Sequence, residues 1–176
     1  MGEAKRKGQF TVGASATPPD SGADWQPLSQ PPLPQQALAP GKSCGTCTKC
    51  CTVMGVPELK KKPRLKCAHV IDGTGCSIYA QRPPSCAKFI CGWLLDPNMG
   101  PDLKPDECHV VFYQLNAENI VASCDADYPD AWRKPNVVEF LHYLARSLGP
   151  NRKVVILEEG KTWVVTERGI VPAETG

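Results

Sequence analysis

Four cysteines fall within eight residues at Cys44-Gly45-Thr46-Cys47-Thr48-Lys49-Cys50-Cys51, and four more follow at Cys67, Cys76, Cys86 and Cys91. Thiolates this dense serve as a metal centre, a disulfide framework or a redox pair. The three readings differ in compartment. Met1-Gly2-Glu3-Ala4-Lys5-Arg6-Lys7 is a basic start, but Gly8-Gln9-Phe10-Thr11-Val12 is no apolar signal core. Arg6 stands where a myristoylation motif needs Ser or Thr. No apolar run approaches the length of a membrane span. The expected location is therefore cytoplasmic, where thiols stay reduced, which favours metal over disulfides.

Eight thiolates suffice for two four-coordinate sites. The Cys44-x2-Cys47-x2-Cys50 spacing lets a tight loop close on one centre, as in zinc sites and in the first three positions of bacterial ferredoxins. The next cysteine is the adjacent Cys51 and not the ferredoxin Cys-Pro ending. Neighbouring side chains in an extended segment point to opposite faces, so Cys50 and Cys51 could serve different centres. Cys67, Cys76, Cys86 and Cys91 would complete them. His69, two residues after Cys67, is an alternative ligand. Cys108 and Cys124 lie outside the cluster and read as small buried apolar side chains. His109 and His142 read as structural or surface residues.

The motif Cys44-x2-Cys47-x2-Cys50-Cys51, Cys67, Gly75-Cys76-Ser77-Ile78-Tyr79-x2-Arg82-Pro83-x2-Cys86-x2-Phe89-x-Cys91 resembles the YkgJ-type CxxCxxCC cysteine-cluster family. That family is described as a zinc- or iron-chelating domain with eight characteristic cysteines, and all eight match over about residues 43 to 95. The resemblance implies a metal ion as partner, zinc or iron or an iron–sulfur cluster, with these eight cysteines as ligands. It brings no settled reaction. Members often carry Arg after the cysteine matched by Cys86, where this chain has Ala87 and Lys88. A related cluster in flagellin lysine methylases makes protein modification a conceivable context, yet Gly73-Thr74-Gly75 is no cofactor-binding glycine loop. Arg82 and Tyr79 either hydrogen-bond ligand sulfurs or brace the turn.

The elements that must position these thiols are read from pattern. Residues 1–42 carry Pro18, Pro19, Pro27, Pro31, Pro32, Pro34 and Pro40, and are expected to be a disordered tail. Residues 43–95 form the cysteine module, with glycines at its turns and a short helix over Ser85–Leu95 that carries Cys86 and Cys91 on neighbouring faces. Residues 96–176 predict a hairpin–helix–hairpin: strands at 110–115 and 120–124, a helix at 137–148, then strands at 153–157 and 162–166. Asn136 and Glu139 form a capping-box pair, and Val137, Phe140, Leu141, Leu144 and Leu148 make one apolar face. The expected class is α+β, a loop-rich, metal-stapled cysteine module packed on this portion as one domain.

The net charge of +2 is too small to imply nucleic acid. The basic run Lys60, Lys61, Lys62, Arg64 and Lys66 reads as charge balance, because four thiolates on a divalent ion leave a net −2. No Ser/His/Asp or paired-carboxylate arrangement stands out, so whether the chain is an enzyme stays open. The function expected is metal binding. The alternatives are a redox or protein-modification accessory enzyme and an interaction module built on residues 60–66, with a protein partner unidentified.

Overall fold

The computed structural model describes residues 38–149 and 151–173, all within the unit Pro32–Gly176. The expected tail falls mostly outside the described residues. Its described end is anchored: Ala39 is buried and its N–H donates to the Leu94 carbonyl at 2.8 Å. The Lys42 ammonium donates to the carbonyls of Asp96 and Met99, each at 2.6 Å.

The architecture is mixed α and β, with short helices and two sheets among the described residues. In the first half run α1 (Lys49–Val53), the two-residue strands β1 (Val70–Ile71) and β2 (Gly75–Cys76), α2 (Pro84–Lys88), α3 (Gly92–Leu95) and α4 (Pro105–Cys108). The second half holds β3 (Val110–Gln114), β4 (Asn119–Cys124), α5 (Pro135–Ser147), β5 (Lys153–Glu158), β6 (Lys161–Thr166) and β7 (Gly169–Pro172). No helix among the described residues is long and apolar enough to cross a membrane.

The hairpin–helix–hairpin expectation agrees with the structure, which adds two features. The two hairpins form one sheet, ordered β3-β4-β5-β6-β7, because β4 and β5 pair in parallel from Asn119↔Lys153 to Ser123↔Leu157. A parallel pair needs a crossover, and α5 supplies it. The strand β7 extends the sheet antiparallel to β6.

Alternation sorts the strands into two faces. Val110, Phe112, Ala122, Cys124, Val154, Ile156 and Val165 share one core with Val137, Phe140 and Leu141 of α5. Phe112 and Phe140 meet edge to face at 5.2 Å. Between them along the strands, Val111, Val121 and Ser123 are also buried. β3 and β4 are thus covered on both sides, with α1 and α3 packing on β3. Continuous burial explains why Val110-Val111-Phe112 is apolar without alternation.

The start of α5 corrects the expected cap. Pro135 occupies the first helical turn and Lys134 is the cap residue, with no side-chain capping bond. Proline's missing N–H costs nothing there, and it holds Lys134 extended at ψ 137°. Asn136 turns its amide to the Asp102 carboxylate at 2.9 Å instead.

Candidate metal centre

The first cysteines sit on a loop that tightens into α1. Gly45 has φ 54°, a left-handed conformation that glycine takes without strain. The Cys47 N–H donates to the Cys44 carbonyl at 3.0 Å and that of Cys51 to Thr48 at 2.9 Å. Cys50 and Cys51 are therefore on a helical turn, about 100° apart and not on opposite faces of an extended segment.

Cys67 and Cys76 arrive on the small hairpin. The Cys67 N–H donates to the Cys51 carbonyl at 3.1 Å, the Val70 N–H returns to Cys67 at 3.1 Å, and Val70 pairs with Cys76. Cys86 comes on α2, whose first turn is held by Glu58: one carboxylate oxygen accepts from the Ser85 N–H at 3.0 Å and its hydroxyl at 2.8 Å. Cys91 caps α3.

The single helix expected over Ser85–Leu95 is two helices, with Phe89 extended at ψ 125°. The break has a tertiary cause. A Cβ at Gly92 would lie 3.2 Å from the Phe112 Cβ and 3.3 Å from its carbonyl oxygen, so the chain restarts its helix where glycine lets it approach β3. Phe89 packs edge to face on Tyr113 at 5.7 Å. Cys86 and Cys91 therefore sit on two separate helices and not on neighbouring faces of one.

All ten cysteines are free thiols. Cys44, Cys47, Cys50 and Cys91 line a cavity of about 20 Å³, with Trp93, Leu94, Lys104, Pro105 and Val111 completing its wall. Val111 comes from the face of β3 turned away from α5. The ammonium groups of Lys42 and Lys104 lie 5.0 and 5.8 Å from the Trp93 ring centroid. Lys104 also pairs with Asp106 at 2.7 Å. Of the four motif cysteines outside this wall, Cys51, Cys67 and Cys86 lie near Lys61, as does Cys50 of the wall; Lys61 donates to the carbonyls of Thr52, at 3.3 Å, and Met54, and Cys76 lies near Cys86.

Burial governs the thiols. It pushes Cys47 up to about 11 and raises Cys44, Cys86 and Cys91. Cys50 is raised most, first by its hydrogen bond to Cys51 and then by burial. The same bond holds Cys51 below the ordinary thiol value, with help from Lys61. Burial also lowers Lys61. Neutral thiols need not converge, and among the described residues no group of three or more His, Cys, Asp or Glu side chains is arranged to hold a metal ion.

Cys108 and Cys124 are fully buried, each pushed by burial to about 11. The Cys108 sulfur lies 3.4 Å from the Leu103 carbonyl and 3.3 Å from that of Val110. Arg82 stacks on the Tyr79 ring at 4.0 Å and donates to the Tyr79 carbonyl at 3.1 Å, which braces the turn. His69 accepts the Ser77 N–H at its carbonyl. His109 has φ 63° at the end of α4, and its ring stacks on Tyr128 at 3.8 Å.

The basic run does not form one uniform cationic face. Lys60 and Lys62 are exposed, Lys61 turns inward, and Lys66 pairs with Asp72 at 2.6 Å. Arg64 reaches the Leu157 carbonyl at 3.4 Å. Sequence reasoning missed the ion pair that fastens α1 to the sheet, between Lys49 and the buried Asp125. Lys49 sat inside the motif, but nothing in the sequence marked Asp125. Compared with family models, with curated proteins and with solved structures, the chain matches none of them.

Proposed function

We propose that this chain is a thiolate metal-binding protein of the CxxCxxCC type resembled by its cysteine pattern, holding zinc or iron through Cys44, Cys47, Cys50, Cys51, Cys67, Cys76, Cys86 and Cys91. The observation that carries the reading is the cavity into which the loop 44–50 and Cys91 bring four free thiols, with Lys104 beside them. A borderline-soft divalent ion favours thiolate ligands, and binding releases the protons that burial now retains on the sulfurs. Closure on the ion brings together side chains that stand apart as neutral thiols. Bound zinc would cross-link the loops, and an iron–sulfur cluster would add electron transfer. Lys61 and Lys104 are placed to offset the thiolate charge. The cytoplasmic setting belongs to the same proposal, since it keeps the ligands reduced.

Anaerobic purification followed by metal and sulfide analysis and an absorption spectrum tests the reading. Metal retained with the thiols protected supports it. A chain that binds neither zinc nor iron refutes it and leaves the redox, protein-modification and 60–66 interaction readings.

A further inference from the structure

Building on the metal-binding reading, we propose that the eight thiols form two separate four-thiolate centres, one from Cys44, Cys47, Cys50 and Cys91 and the other from Cys51, Cys67, Cys76 and Cys86, each taking one tetrahedral divalent cation of the zinc class.

The first set rests on the cavity. Its wall contains those four cysteines and none of the other four. Three come from one loop and its following turn. The fourth comes from the start of α3, which Gly92 presses against Phe112. Had residues 85–95 formed one helix, Cys86 and Cys91 would have been tied to neighbouring faces of one rigid element. The break is what divides them.

Backbone pairing supports the second set. Cys67 is bonded to the Cys51 carbonyl, and the hairpin that follows Cys67 carries Cys76 back beside it. Cys86 is fixed by the Glu58–Ser85 bonds at the start of α2, and the thiols in its surroundings are Cys51, Cys67 and Cys76, beside the Glu58 carboxylate. Cys91, by contrast, has Cys44 and Cys47 as thiol neighbours.

Charge gives a separate argument. Four thiolates around a divalent cation carry about −2, which asks for a nearby cation at each centre. Lys104 and Arg82 act on Cys44, and Lys104 on Cys47. Lys61 stands among Cys67, Cys51, Cys86 and Cys50. Lys104 thus stands beside the first set, and Lys61 beside three thiols of the second and Cys50 at their junction. The adjacent pair in α1 is the seam between the sets. Cys50 and Cys51 are adjacent on its helical turn and hydrogen-bonded side chain to side chain, so their sulfurs are where the two sets meet.

The test titrates the metal-free full-length chain with Zn²⁺ under reducing, anaerobic conditions, with native mass spectrometry counting bound ions. Two ions are expected. Cys91→Ser and Cys86→Ser should each retain one, and the double variant should retain none. Cadmium-113 NMR of the wild type gives a readout that needs no variant: two uncoupled tetrathiolate resonances are expected. Amide-exchange protection of α5 checks that each variant is folded. Loss of both ions in either single variant, or cadmium–cadmium coupling, would show one thiolate-bridged cluster and overturn the division. Saturation at a single ion would overturn it too. A wild type that binds no zinc or cadmium would remove this division, and absence of iron as well would remove the metal-binding reading.

Discussion

Replacing Lys49 by Met isolates the link between the cysteine module and the sheet. The Asp125 side chain is only 2% exposed and that of Lys49 21%. Without the ammonium, the carboxylate keeps one long peptide contact, the Asp127 N–H at 3.4 Å. Breaking a buried pair from one side costs about 3–5 kcal/mol, because the remaining charge stays buried and unpaired. Partial exposure of Lys49 puts the expected loss at the lower end, about 3 kcal/mol. For a domain of this size that lowers the melting temperature by about 10 °C. The assay is calorimetric melting of the metal-free protein at neutral pH, so that altered metal loading does not contribute. A second variant, Lys49→Met with Asp125→Asn, removes the stranded charge and should recover at least about 1 kcal/mol. A single variant melting within about 2 °C of wild type would show the pair to be screened by solvent. A double variant no more stable than the single one would locate the loss in α1 itself.

Cys108→Ser and Cys124→Ser should leave metal content unchanged while costing about 1–3 kcal/mol each, since a hydroxyl replaces a fully buried sulfur; metal loss equal to that of Cys47→Ser would put them among the ligands. A chain starting at Leu38 should melt like the full-length protein, whereas one starting at Ser43 should lose about 1–3 kcal/mol with the Ala39 and Lys42 bonds. Equal melting of the two truncated chains would refute that anchoring. In metal-free protein at pH 7.5, limiting iodoacetamide should label Cys51 ahead of Cys86, because a lowered thiol is ionised at lower pH and a raised one is not. At the same pH, Cys108 and Cys124, at about 11, should label last. Peptide mapping that finds Cys51 no faster than Cys86 would contradict the Cys50–Cys51 hydrogen bond.

Local pattern made much of the second half readable. The face of Val137, Phe140, Leu141 and Leu144 announced α5, and β-branched runs around short turns announced both hairpins. The parallel pairing of β4 with β5 has no local signal, since it depends on where α5 returns the chain. β7 was missed because four residues ending in Pro172 look like a frayed tail rather than a strand. In the first half, residue type identified the thiols, but their grouping depends on distances set elsewhere. The pattern over Ser85–Leu95 suited one helix, yet contact of Gly92 with Phe112 overrode it. The same limit hid Asp125, which is one more acidic residue in a turn until its burial is known.

The span between Lys49 and Asp125 also orders events during synthesis. Their separation is 76 residues. At about 5–20 residues per second, the ribosome adds the second roughly 4–15 s after the first. Throughout that interval the cysteine-bearing segment exists without the carboxylate that fastens it, and for most of it without the strand whose Val111 walls its cavity. Closing so long a chain segment is itself entropically costly and waits for the sheet. The nascent thiols are thus open to ions, oxidants and one another before their scaffold has been made.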